Sequence, residues 1–352
     1  MKKYIFLTIL LSLIIGIFSC VDEIKLNIDT EQRSFVVDGF VTDSLGDFQL
    51  KLSESAIIGV GRDNILDPIT GATVQLLDTD GGVYPYVESA ENLGTYELFD
   101  FKALRGKSYF IDIVLADGRH YQSTPAELRS KSTIGAISYD VREERFRNNT
   151  GTLVTQNILS ANISTDFSEA EVPPFLQWRV SGIYQFQEDF PDAISPKRCF
   201  IDVNLDLNDI RILDASQVNE GALFEQTIAE LEYDFRFADQ FCLHVSQFSI
   251  TEEEFNYWRS IKEIIDIDGS LFDPPPGTVV GNIRNVDNPE DVAVGYFSVA
   301  SVFFKRYFVD REVTGVFVRG QCEGFFLRTP FACDDCLLIG NSTTVQPDYW
   351  EF

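Results

Sequence analysis

Residues 34–41 read SFVVDGFV and residues 47–52 read DFQLKL, two short runs in which apolar side chains recur at every second position. Successive side chains of a β-strand point to opposite faces of the sheet, so a period of two predicts strands with one buried face. The residues between the runs, Asp43 to Gly46, are typical of a turn. This stretch therefore predicts an antiparallel hairpin at the start of a β-rich fold.

The same pattern continues as far as residue 125. Further strands are predicted at residues 72–77, 96–99, 108–115 and 119–123, and turns rich in Gly and Asp separate them. Such regular spacing is typical of an antiparallel sandwich. The order of elements, with GATV at 71–74 and GTY at 94–96, resembles the transthyretin-like and carboxypeptidase-regulatory sandwiches of bacterial surface proteins. The resemblance implies an Ig-like or transthyretin-like β-sandwich domain over residues 34–125, a module that supports and orients rather than catalyses.

Residues 131–352 keep the strand pattern but have longer loops, which predicts a larger β-rich C-terminal domain. Alternation recurs at 177–180, 183–186 and 200–207. One segment differs, because residues 251–267 begin with a Thr and three Glu and then carry apolar residues at helical spacing. An N-cap residue followed by acids in the first turn indicates one clear amphipathic helix. A weaker helical pattern covers residues 217–232.

The first residues have the layout of a secretory signal. Lys2 and Lys3 precede an apolar run at residues 4–18, which ends on Ser19 and Cys20. This run is shorter than the roughly 20 residues that span a bilayer as a helix. A charged start, a short apolar stretch and a small residue before the cleavage site predict a signal peptide over residues 1–19. Cys20 is then the predicted lipid acceptor, and residues 20–33 form a polar tether.

Composition excludes some partners. The chain has 352 residues, a formal net charge of −27, 45% hydrophobic residues and 24% charged residues. These fractions are those of a folded globular protein. So negative a surface repels nucleic acid and anionic headgroups, and we expect no nucleic-acid partner.

Five cysteines remain when Cys20 is assigned to lipid, and disulfides persist in an exported protein. They are Cys199, Cys242, Cys322, Cys333 and Cys336. An odd number leaves at least one thiol outside an intramolecular bridge. The spacing of Cys333 and Cys336 also fits a redox or zinc pair, but two histidines in the whole chain make zinc the weaker alternative. We predict bridges of Cys199 with Cys242 and of Cys322 with one of the terminal pair.

Several motifs together resemble one family, the outer-membrane lipoproteins of Bacteroidota filed as domain of unknown function 4249. They are Cys20, FVVDG at 35–39, the helix followed by DGSLF at 268–272, the closing cysteine pair at 333–336 and PDYW at 347–350. The resemblance extends over essentially the whole chain after Cys20. It implies no known activity.

The resemblance implies a setting in the outer membrane, where such proteins accompany TonB-dependent transporters. Acidic residues directly after the lipidated cysteine resemble a surface-export signal of that phylum, and Asp22 and Glu23 match it. The predicted location is therefore the outer membrane, lipid-anchored and facing the cell exterior.

Two segments are candidates for ligand contact. Three prolines in succession fix a stiff loop, so a recognition surface is predicted as an alternative to a simple crossover. Residues 202–209 begin like a calcium loop, but Leu207 and Leu213 stand where that motif needs Gly and Glu, so a strand with an acidic face is the preferred interpretation. We predict no cofactor, and calcium held by several loops stays open. The candidate recognition residues are Phe272, Pro274, Pro275, Pro276, Asn282, Arg284 and Asn285.

Enzyme motifs are absent from the sequence, including the nucleophile elbow, the P-loop and the zinc-protease helix. We therefore expect a protein without catalytic residues that assists a TonB-dependent nutrient-uptake transporter by ligand capture or docking. The alternative is a structural or adhesive surface module that binds glycan or another surface. A glycan groove would need an exposed platform from Trp178, Trp258 or Trp350, of which we expect the first two to be buried.

Overall fold

Strands form most of the regular structure of this protein, and its sheets pack face to face. This confirms the predicted mainly β, sandwich-like fold class with one clear amphipathic helix. No helix within the described ranges is long and apolar enough to cross a bilayer. The predicted signal peptide, Cys20, Asp22 and Glu23 lie outside the described residues. The computed structural model describes residues 33–55, 66–148, 150–165, 174–188, 196–205, 209–217, 224–266, 279–309, 314–322 and 331–350.

Twenty strands and two α-helices follow one another along the described chain. The first ten strands are β1 (Phe35–Thr42), β2 (Gly46–Glu54), β3 (Asp67–Pro68), β4 (Thr73–Asp78), β5 (Val83–Pro85), β6 (Val87–Glu88), β7 (Thr95–Phe101), β8 (Ser108–Val114), β9 (His120–Ser123) and β10 (Ala126–Glu127). The other ten are β11 (Ile134–Arg147), β12 (Leu153–Thr165), β13 (Phe175–Gln187), β14 (Arg198–Asn204), β15 (Arg211–Asp214), β16 (Phe224–Glu232), β17 (Phe241–Ile250), β18 (Ile283–Asn285), β19 (Val294–Val309) and β20 (Ser342–Thr343). The helices are α1 (Glu252–Ile265) and α2 (Phe331–Asp334), with 3₁₀ turns at Ala215–Gln217, Phe235–Phe237 and Cys336–Leu338.

Three sheets are built from these strands. The largest has eleven strands, in the order β20, β14, β13, β17, β19, β1, β2, β7 and β6, with β15 beside β13 and β3 beside β2. A six-stranded sheet runs β18, β9, β8, β4 and β5, with β10 beside β8, and a three-stranded sheet runs β11, β12 and β16. The predicted first hairpin is confirmed, since β1 and β2 pair antiparallel.

Strand β19 joins the two halves of the largest sheet. Its first part pairs parallel with β1, where Val36 aligns with Val294 and Thr42 with Ala300. Its second part pairs antiparallel with β17, where Ser249 aligns with Ser301. One continuous strand therefore changes partner and pairing direction between residues 300 and 301.

Two apolar cores lie on the same face of this large sheet. The first fills the space toward the six-stranded sheet and includes Val37, Ile113 and Phe297. The second fills the space toward the three-stranded sheet and includes Trp178 and Val245. The first core also contains Ile283 of β18 and Val299 of β19, so residues far beyond the predicted 34–125 sandwich complete it.

Helix α1 lies on the opposite face of the large sheet, which we call the outer face. The Thr251 hydroxyl accepts a hydrogen bond from the Glu254 amide at 3.2 Å, as the predicted N-cap requires. Phe255 packs against Phe175 of β13, with ring centroids 5.1 Å apart, and joins a cluster with Phe248 and Ala300.

The last described residues cover the other end of the outer face. Trp350 is buried between the rings of Phe200 and Phe308, each with its centroid 5.2 Å away. The Tyr349 hydroxyl lies 2.9 Å from His244 Nε2. Trp350 is therefore not an exposed platform, and its aromatic contacts fix the chain end to β14 and β19.

The predicted disulfide pattern is partly wrong. Cys322 bridges Cys333, which confirms a bond between Cys322 and one of the terminal pair. Cys199 bridges Cys336 rather than Cys242, which is a free and buried thiol. Cys199 and Cys242 lie on opposite faces of the large sheet, because Cys199 belongs to the second core while Cys242 packs near Trp350. The bridges exclude a zinc or redox pair of Cys333 and Cys336.

The weaker helical prediction at residues 217–232 is also wrong. Residues 224–232 form strand β16, which pairs antiparallel with β12. Ile228 and Ala229 are buried in the second core. Long-range pairing with β12 has overridden the local helical preference.

Candidate functional site

A cavity of about 240 Å³ lies between helix α1 and the outer face of the large sheet. It sits beside the point at which β19 passes from β1 to β17. Three short stretches of the chain line it: residues 38–40 of β1, residues 177–179 of β13 and residues 209–211, the last of which begins β15. The remaining lining residues are Tyr296 and Ser298 of β19 and Glu254 and Trp258 of α1.

Strand alternation explains why these side chains meet. Trp178 of β13 points into the second core, so its neighbours Gln177 and Arg179 point to the outer face. In the same way Phe297 of β19 belongs to the first core, which places Tyr296 and Ser298 on the outer face. The register brings these positions together, since Phe40 aligns with Ser298.

Glu254 is a buried carboxyl group in the wall of the cavity. It is 1% exposed, and both of its oxygens accept hydrogen bonds. The Ser298 hydroxyl donates to Oε2 at 2.9 Å, and the Trp258 indole donates to Oε1 at 3.3 Å. Burial raises the pKa of Glu254 to about 7, although these two hydrogen bonds and the nearby charge of Arg179 oppose the rise.

Arg179 brings a positive charge to the cavity. Its guanidinium carbon lies 5.2 Å from the ring centroid of Phe40 and 4.9 Å from that of Phe248. These cation–π contacts hold the group against apolar surface. Within the part of the chain that the structure describes, no carboxylate oxygen lies within 4.0 Å of the Arg179 guanidinium, so Arg179 forms no salt bridge there.

Gln177 lies in the wall of the cavity and is 5% exposed. Its amide oxygen Oε1 is fully buried and has no hydrogen-bond partner among the described residues. A buried polar group without a partner costs about 1–3 kcal/mol. The cavity wall therefore carries a local cost in stability at Gln177.

A chain of charged residues forms one rim of the cavity. Arg211 is 9% exposed and its Nη2 lies 3.0 Å from Asp209 Oδ2. Asp209 Oδ1 lies 4.0 Å from Lys262 Nζ on helix α1. The rim thus ties the helix to the segment before β15, and Arg211 already has a carboxylate partner.

The arrangement is suited to binding. It combines a cation with aromatic surface in a small concave space, as ligand sites generally do. Ser298 contacts a carboxyl group, but none of the described residues that line the cavity is a histidine, so the serine lacks the imidazole that serves as base in a triad.

The structure places the predicted recognition residues differently. Phe272 and Pro274 to Pro276 lie outside the described residues. Asn282 is buried, and its amide both donates to and accepts from the Phe297 backbone at 2.9 Å, so its prediction as a surface residue is wrong.

Asn285 is likewise buried, and its side chain stabilises the fold. Its Nδ2 donates to Asp291 Oδ2 at 2.9 Å, and its Oδ1 accepts from the amide of Asp287. Arg284 is exposed and donates to the Pro289 carbonyl at 3.4 Å. Of the predicted set that the structure describes, Arg284 alone is exposed.

The structure describes part of the predicted calcium-loop segment and all three candidate tryptophan platforms. Residues 202–204 belong to strand β14, as the preferred interpretation requires, and residues 206–208 lie outside the described ranges. No group of three or more His, Cys, Asp or Glu side chains in the described ranges is placed to hold a metal ion. Trp178 is buried as predicted, while Trp258 is half-buried and lines the cavity.

The sequence pattern did not predict the cavity, although it carries one indication that Glu254 is buried. The apolar stripe of helix α1 includes Trp258, Ile261 and Ile265, and Glu254 falls on the same stripe one turn earlier. An acid on the buried side of a helix is costly unless it has partners, so it marks a special site. Gln177 and Arg179 carried no such signal.

The cavity lies wholly inside the part of the chain that matches a known family. Residues 21–306 match the family model described as Domain of unknown function (DUF4249), and this range contains all cavity-lining residues. The three later disulfide cysteines, Cys322, Cys333 and Cys336, follow the matched range. No curated protein matches the chain. Since the match covers most of its length, the chain belongs to the family described as Domain of unknown function (DUF4249).

Proposed function

We propose that this protein is a lipid-anchored lipoprotein of the bacterial outer membrane, displayed on the cell surface. It acts there without catalysis as an accessory of a TonB-dependent nutrient-uptake transporter and captures a ligand for it. The family resemblance implies a Bacteroidota setting, and the layout of Lys2, the apolar run at 4–18 and Cys20 supports the anchor.

Export is supported by the disulfides. Cys199 with Cys336 and Cys322 with Cys333 form two bridges in the described part of the chain. Disulfides persist in secreted and surface proteins and are rare in the cytosol. This chemistry agrees with a protein that leaves the cytoplasm.

Ligand capture is supported by the cavity beneath helix α1, the observation on which this proposal chiefly depends. Arg179 lacks an ion pair among the described residues, so a bound anion would complete it. None of the described residues that line the cavity is a histidine or a cysteine.

Purification from mild-detergent outer membranes tests the proposed partner. We expect the tagged protein to copurify with a TonB-dependent transporter. Cys20→Ser is the matched control, because it leaves the chain after residue 20 intact and removes the lipid acceptor. This variant is expected to leave the outer membrane and to lose the transporter. Recovery of the wild-type protein from the outer membrane with no transporter would contradict the proposal.

A second candidate function, a structural or adhesive module that binds glycan or another surface, is favoured by the hairpin of β11 and β12. Strand β16 pairs with β12 only over residues 158–165, so the distal part of the hairpin is a two-stranded ribbon. Residues 142–147 are all exposed on both faces of that ribbon. Loss of growth on one nutrient after gene deletion, with adhesion unchanged, would rule out this second function.

A further inference from the structure

The cavity beneath helix α1 contains an arginine without an ion pair among the described residues, which indicates the class of its ligand. We propose that the cavity binds a small carboxylic acid. Arg179 would hold the carboxylate. The biological role of this site rests on the proposed function.

The carboxylate is inferred from the state of Arg179. Arginine donors form a fork that matches a carboxylate, and charged hydrogen bonds of this kind are stronger than those between neutral groups. The other arginine at the cavity, Arg211, already pairs with Asp209 at 3.0 Å. Arg179 contacts two phenylalanine rings and no carboxylate in the described chain, so its fork is open to an anion.

The carboxyl groups in the cavity wall do not serve as that anion. The two oxygens of Glu254 are engaged by Ser298 and Trp258. Asp209 pairs with Arg211, and no ion pair joins Asp38 to Arg179 among the described residues. Within the described chain, Arg179 therefore keeps an unpaired charge at the cavity.

Cavity size favours a small ligand. The volume of about 240 Å³ lies below the roughly 300–1,000 Å³ of typical ligand pockets. A compact acid therefore suits the cavity better than a larger ligand. The aromatic surfaces of Phe40 and Trp258 would contact the apolar part of that acid.

Binding should be measured by calorimetry on the whole protein isolated in detergent at pH 7. The probes are L-lactate, L-alanine, lactamide, propionate and glucose. We expect lactate or alanine to bind with a dissociation constant in the millimolar range or below. Lactamide, which replaces the carboxylate with an amide, should bind at least about tenfold more weakly than lactate, whereas propionate, which keeps the carboxylate, should still bind.

A variant tests the contact with the carboxylate. Arg179→Gln should weaken lactate binding at least about tenfold. Arg306→Gln is the matched control, because Arg306 also stacks on aromatic rings of the outer face, those of Phe304 and Tyr349, but does not line the cavity. It should leave lactate binding unchanged.

Three results would overturn the inference. They are no binding of lactate or alanine at about 10 mM, lactate binding that Arg179→Gln leaves unchanged, and binding of glucose without binding of either acid. If a variant fails to fold, the comparison of lactate with lactamide on the wild-type protein decides. Transporter copurification is independent of this measurement, so failure of the site and failure of the proposed function are distinguishable.

Discussion

Glu254 illustrates how burial overrides local preference at a single residue. It lies in the first turn of α1, where the helix dipole favours a negative charge. Its side chain nevertheless turns toward the sheet, and burial raises its pKa from 4.5 to about 7. Loss of water around the carboxylate therefore outweighs the hydrogen bonds from Ser298 and Trp258 and the charge of Arg179 together.

This raised pKa predicts a pH-dependent stability difference. A group whose folded pKa is raised contributes its full stability below pH 4.5 and loses it as the pH rises through about 7. At about 1.4 kcal/mol for each pKa unit, ionisation of buried Glu254 costs about 3 kcal/mol. The free energy of unfolding of Glu254→Gln relative to wild type should therefore increase by about 3 kcal/mol between pH 4.5 and pH 8, as measured by urea titration.

Glu253→Gln is the matched control for this experiment. It removes the same formal charge one residue earlier, from an exposed side chain. Its free energy of unfolding relative to wild type should change little over the same pH range. A Glu254→Gln difference that stays constant from pH 4.5 to pH 8 would show that the carboxyl group is not buried as described.

At the level of the element, strand β19 depends on a glycine at its start. Gly295 has a φ of +107°, and a Cβ there would overlap the carbonyl oxygen of Val37 on β1. Both the backbone conformation and the close approach of β1 require glycine. We predict that Gly295→Ala lowers the free energy of unfolding by more than about 3 kcal/mol, because strain and overlap add.

Gly118→Ala separates these two causes. Gly118 has a φ of +91°, but nothing lies within 4 Å of a Cβ built there. It should cost only the left-handed conformation, about 1–2 kcal/mol. Equal losses for the two variants in chemical denaturation would contradict close packing of β19 on β1.

Elements were predictable from sequence, but their partners were not. Local alternation indicated β1, β2 and β8, and capping residues indicated α1, because these signals depend only on near neighbours. The parallel pairing of Val36 with Val294 leaves no such local signal. Strand β13 was predicted as two segments because Ser181 and Gly182 interrupt its alternation, whereas Gly182 continues the strand and leaves room for the Phe241 ring.

The cavity was unpredictable for a related reason. Gln177 and Arg179 occupy the polar positions of an alternating strand, and such positions usually face solvent. Whether a helix covers that face depends on the path of the chain some 70 residues later, from Thr251 to Ile265. A sequence pattern tells which residues share a face but not what lies above it.

At the scale of the molecule, strand β19 couples the two cores, because it contributes residues to both. Its residues 297 and 299 belong to the first core, and Tyr307 and Val309 belong to the second. Unfolding of either core would remove one pairing partner of the same strand. We therefore expect the described parts of the chain to unfold in one cooperative transition, even though the sequence pattern predicted a boundary near residue 125.

The positions of the tryptophans allow a direct test of this coupling. The chain has three tryptophans, and Trp178, Trp258 and Trp350 all lie in the second core or on the outer face. Ile113 is fully buried in the first core, so Ile113→Ala should cost about 2–5 kcal/mol there. Because the cores share β19, this variant should lower the urea midpoint of tryptophan fluorescence as much as that of far-UV circular dichroism. A fluorescence midpoint that stays at the wild-type value, with a second transition in circular dichroism, would show that the two cores unfold independently.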